Sequence, residues 1–103
     1  MPIVEEVHQN DVGTVFRVTI YDGSTVLDIS GATTKSIIFK DADGTIVTQD
    51  GTFTTDGTDG QLEYVTIAGD LTVLGKWKLQ SYVVLPSGSW KSNIVNFRVY
   101  ANL

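Results

Sequence analysis

The stretch Lys76-Trp77-Lys78-Leu79-Gln80-Ser81-Tyr82-Val83-Val84-Leu85 is the longest run of alternating character in the chain. Successive side chains of a β-strand point to opposite faces, so Trp77, Leu79, Ser81 and Val83 share one side and Lys78, Gln80 and Tyr82 the other. That pattern predicts a long strand with one buried face and one wet face. Pro86-Ser87-Gly88-Ser89 follows it with turn chemistry and sends the chain back.

Outward from this strand the same period recurs. On the C-terminal side Val95, Phe97 and Val99 alternate with Asn96, Arg98 and Tyr100. On the N-terminal side Phe16, Val18 and Ile20 alternate with Arg17 and Thr19 within 12–21, before Asp22-Gly23-Ser24 turns the chain. Leu27 and Ile29 are spaced for one side of a short extended segment. Ser36-Ile37-Ile38-Phe39-Lys40 and Ile46-Val47-Thr48, joined by Asp41-Ala42-Asp43-Gly44, read as a hairpin. Gly51–Thr55 predicts a short strand and 62–67 another, separated by the turn-rich Asp56-Gly57-Thr58-Asp59-Gly60. Between Ala68 and Gly75, Leu71 and Leu74 are three apart, which predicts a single helical or 3₁₀ turn.

Seven to eight strands with turn signals at roughly 8–12-residue intervals, and no amphipathic helix, predict an all-β domain over residues 1–103. The expected architecture is an immunoglobulin-like antiparallel β-sandwich; a small barrel would give similar spacing and stands as the alternative. The predicted core is Phe16, Val18, Ile20, Ile29, Ile37, Phe39, Leu62, Tyr64, Leu71, Trp77, Leu79, Val95, Phe97 and Val99. Trp77 resembles in role the core tryptophan of antibody domains, without their disulfide.

Hydrophobic residues at 42% against 18% charged residues make this a folding composition. The net charge is −5, and the seven cations, spread from Arg17 to Arg98, form no basic stripe in the sequence, so nucleic-acid binding is not expected. The chain has no cysteine, which excludes thiolate nucleophiles, disulfides and Cys-based zinc sites. Acids at Glu5 and Glu6, in place of a basic region and an apolar run, predict no export signal. Apolar runs such as Val83-Val84-Leu85 are far too short to cross a membrane as a helix.

Candidate chemistry is sparse. His8 is the only histidine and has no Gly-x-Ser-x-Gly elbow to serve, so it reads as a polar side chain of a terminal strand. Asp41 and Asp43, and Asp56 and Asp59, resemble fragments of calcium loops but lack the alternating oxygen ligands and the closing glutamate. No catalytic, cofactor or metal residue is therefore assigned. Tyr82, Trp90 and Tyr100 fall on faces predicted to point outward, and they form the candidate interaction surface, for protein before sugar. The edge strand around Gly51–Thr55 could pair with a neighbour.

Several of these pieces, in this order, resemble a family of bacteriophage immunoglobulin-like modules found in baseplate upper proteins and in small phage structural proteins. The matching residues are Leu27-Asp28-Ile29-Ser30-Gly31-Ala32, Asp43-Gly44, Gly60-Gln61-Leu62-Glu63-Tyr64, Asp70-Leu71, Gly75-Lys76-Trp77, Ser87-Gly88 and Asn96-Phe97-Arg98-Val99. The resemblance implies a non-enzymatic virion protein, made in the host bacterial cytoplasm, that binds other virion proteins and forms a homo-oligomer. Baseplate proteins carry such a module within a longer chain, whereas this sequence runs from Met1 to Leu103, which favours a small accessory or capsid decoration protein. A carbohydrate-binding module using the same aromatics is the alternative function.

Overall fold

A computed structural model describes residues 7–102, and their regular structure is entirely β. The Lys76 stretch forms β9 (Gly75–Leu85), eleven residues that end where Pro86 offers no N–H to a ladder. On one side β9 pairs antiparallel with β5 (Thr34–Lys40), from Thr34 opposite Val84 to Lys40 opposite Lys78. On its other side two strands share its length. β11 (Val95–Tyr100) pairs with residues 75–79 and β10 (Gly88–Lys91) with residues 82–85. Ser92 bridges the junction: its N–H donates to Ser81 O and its Oγ accepts from Ser81 N–H at 2.9 Å.

The outermost strands of this larger sheet are β6 (Ile46–Asp50), antiparallel to β5, and β1 (Val7–His8), parallel to β11. A smaller sheet runs β2 (Val15–Thr19), β8 (Gln61–Val65), β7 (Thr52–Phe53). The chain leaves β6 at Asp50 and enters β7 at Thr52, so it passes from one sheet to the other at buried Gly51. A hairpin of β3 (Tyr21–Asp22) and β4 (Thr25–Val26) stands apart.

The inner faces of the two sheets meet in one apolar core. Phe16 from the smaller sheet lies 5.5 Å from Phe39 and 4.7 Å from Phe97, ring centre to ring centre. Phe97 packs on Trp77 at 5.7 Å, and the indole N–H donates to Val73 O at 2.8 Å. Twelve of the fourteen predicted core residues are buried; Tyr64 and Val95 are half-buried and packed against the rest. Val7, Val83 and Leu85 join them.

Two expectations need correction. The strands number eleven among the described residues, where seven to eight were expected, and the larger sheet is mixed because β1 runs parallel. The extra elements arise where a long extended stretch changes partner. Ile20 N–H donates to Gly60 O and Ile20 O accepts from Leu27 N–H, which separates β2 from β3. Gly60 permits that approach: at φ +72° a Cβ there would lie 2.7 Å from Val26 Cγ1. The Ala68–Gly75 segment is not a helical turn either. Asp70 N–H donates back to Ile67 O, and Asp70 Oδ2 accepts from Ile67 N–H at 2.8 Å, closing a turn that inserts Leu71 into the core.

Candidate interaction surface

With Trp77, Leu79, Ser81 and Val83 facing inward, the even-numbered residues of β9 face away from the core. The register extends that outer face across the sheet. Ile46, Lys40, Lys78 and Asn96 form one row; Lys76 lies opposite Arg98 in the next. Towards the other end, Asp50, Ser36, Tyr82 and Lys91 form a third. Five of the seven cations therefore occupy one face, with Asp50 as the acid among these rows. Two like-charged pairs, Lys40–Lys78 and Lys76–Arg98, sit directly opposite each other, an arrangement that costs stability. No carboxylate among the described residues pairs with these five; Arg17 does pair, with Glu63 at 3.2 Å, but on the smaller sheet.

The absence of a basic stripe, expected from the sequence, thus does not survive folding. The cations are far apart in the chain but occupy polar-phase positions of strands that become neighbours. Alternation gave each residue's face; strand order, which periodicity does not encode, made them adjacent. Ile38, Ile46 and Ile94 lie among these lysines in a shallow depression, and Ile46 and Ile94 are 63% and 55% exposed.

The three aromatics singled out from the sequence do not form one patch. Tyr82 is half-buried on the outer face, with Lys91 Nζ 5.8 Å from its ring centre. Tyr100 is exposed on the same face, level with the start of β9, where its ring meets His8 at 6.1 Å and Arg98 at 5.9 Å. Some eight residues along the strand separate the two, roughly 26 Å. Trp90 lies opposite Val83 and shares its inward face, half-buried against the core. Its expected outward orientation is therefore corrected. The register on β9 changes by one residue between β10 and β11, which puts Trp90 out of phase with Val95, Phe97 and Val99.

A cleft of about 100 Å³ opens between the β5–β6 hairpin and the Asp70 turn, with Val47, Gln49, Tyr64 and Trp77 among its walls. It is well below the ~300–1,000 Å³ of small-molecule sites. At its floor Tyr64 donates its hydroxyl to Asp70 Oδ2 at 2.5 Å. Burial, and then the hydrogen bond and charge of Asp70, push the Tyr64 hydroxyl up to about 12. The acidic turns are occupied with their own backbone. Asp41 Oδ1 accepts from the N–H groups of Asp43 and Thr45, both at 2.9 Å. Asp56 accepts from Thr58, and these bonds hold its carboxyl below the ordinary carboxylate value; Ser30 does the same for Asp28.

No curated protein sequence matches the chain at a significant level. The model of the BppU N-terminal domain, from phage baseplate upper proteins, matches residues 4–103. With nearly its whole length covered, the chain belongs to the BppU N-terminal domain family and is a bacteriophage structural module.

Proposed function

We propose that this chain is a non-enzymatic baseplate component that holds neighbouring virion proteins through the outer face of its larger sheet. In this reading residues 1–103 are one immunoglobulin-like β-sandwich, and the five-cation face docks against acidic protein surface. One observation carries the reading: in a chain of net charge −5, five cations gather on one face, two pairs of them facing each other, without an acidic partner among the described residues. Such a face is costly in the isolated molecule and favourable once an acidic partner covers it. Exposed Ile46 and Ile94 add apolar area to the same contact.

Virion protein is favoured over sugar, because Trp90 turns inward and Tyr82 and Tyr100 stand too far apart to grip one ring system. The test is incorporation into particles. Wild-type chain should copurify with intact virions, and Lys40→Glu/Arg98→Glu should fold yet be lost from them. Absence of the wild-type chain from particles overturns the virion role, and undiminished incorporation of the variant overturns the assignment of the face. Saturable, salt-insensitive binding of a purified glycan in place of protein would also overturn it.

A further inference from the structure

The free edge of the larger sheet points to a specific contact: we propose that β6 pairs antiparallel with β6 of a second copy of this chain, with Thr48 on the two-fold axis. The ladder between β5 and β6 fixes which backbone groups are available. Asp41 N–H donates to Thr45 O, and Gly51 N–H donates to Lys35 O, so the hydrogen-bonded positions of β6 are the odd ones. In an antiparallel ladder the intervening residues direct their N–H and C=O away from the partner. Ile46, Thr48 and Asp50 therefore present six backbone groups along an edge where no further strand follows among the described residues.

Exposed sheet edges are usually blunted by proline, lysine, a bulge or a covering loop. β6 has none of the first two, its pairing with β5 is unbroken from Ile46 to Asp50, and Ile46 and Val47 are 63% and 46% exposed. The opposite edge, β1, differs: it has two residues among those described.

Charge selects the occupant. Asp50 is the acid on the otherwise basic outer face, and it lies on this edge strand. Centring the pair on Thr48 sets Asp50 of one copy beside Ile46 of the other, with that copy's Lys40 directly behind. Each copy thus supplies the carboxylate that the other's lysine lacks. The two Lys40 ammonium groups stay roughly 20 Å apart by strand spacing and rise, well beyond the ~8–10 Å screening length. A foreign strand would satisfy the backbone equally well, but nothing about it would call for Asp50 at this position.

The experiment uses the purified chain alone, so its outcome is independent of the virion reading. Sedimentation should give twice the chain mass. Because the sequence has no cysteine, Thr48→Cys should oxidise to a covalent dimer, while Val47→Cys, whose backbone bonds face β5, should not. Facing residues of a hydrogen-bonded antiparallel pair have Cα atoms about 5.5 Å apart, within disulfide reach. Thr48→Pro removes an N–H that β5 does not use and should leave a folded single copy. Single-copy mass for the wild type overturns the proposal. So does a dimer that survives Thr48→Pro, or one in which Cys at 48 fails to cross-link.

Discussion

The outer faces of the two sheets handle cations in opposite ways. On the smaller sheet Arg17 lies directly across the ladder from Glu63 and bonds it at 3.2 Å. On the larger sheet Lys40 faces Lys78 and Lys76 faces Arg98. One face is internally neutralised and the other is charged beyond what its own fold can balance. A sequence selected for stability alone would have placed acids opposite lysines on both. On that difference rests the proposal that the larger sheet's outer face docks to a partner.

The comparison can be broken most severely from beneath. Trp77→Ala removes the ring on which Phe97 packs and should cost about 3–5 kcal/mol, seen as a large fall in melting temperature. Without the two sheets apposed, neither face persists. Tyr64→Phe should cost about 1 kcal/mol, since it deletes the bond to Asp70 that closes the turn over the core. The same pair predicts a pH effect. Because folding raises the Tyr64 hydroxyl from 10.0 to about 12, its contribution is complete below pH 10 and is lost as pH rises from there through about 12. A tyrosinate absorbance titration should show one tyrosine ionising late.

Smaller effects sharpen the contrast because their signs differ. Lys78→Glu places a carboxylate opposite Lys40 and should stabilise the isolated chain by roughly 0.2–1 kcal/mol while abolishing incorporation into particles. Arg17→Gln should instead destabilise, by at most about 0.5 kcal/mol for a pair this exposed, and leave incorporation intact. Chemical denaturation of the two variants checks both signs. Equal losses in both would remove the distinction between the faces.

Much of the fold was legible because alternation is a local signal. The phase of Phe16, Val18 and Ile20, of Ile37 and Phe39, and of Trp77 through Val83 assigns the buried side correctly without knowledge of any neighbour. Partners were not legible. That Ile20, bonded through its N–H to Gly60, would give its carbonyl to Leu27, or that Val7 would run parallel beside Val99, depends on contacts distant in sequence. The cationic face was not legible for the same reason: Lys40, Lys78 and Arg98 are unremarkable until β5, β9 and β11 lie side by side. Trp90 misled because an outward aromatic and an inward one on a short return strand have the same composition.

The parallel contact of β1 with β11 has a mechanical corollary. Val7 lies beside Val99 and His8 beside Tyr100, and Gln9 N–H reaches Tyr100 O at 2.8 Å. Tension drawn outward through both ends of the chain would pull these neighbours past one another in shear, stressing their bonds together instead of peeling them singly. This short join is thus oriented to resist a tug along the polypeptide.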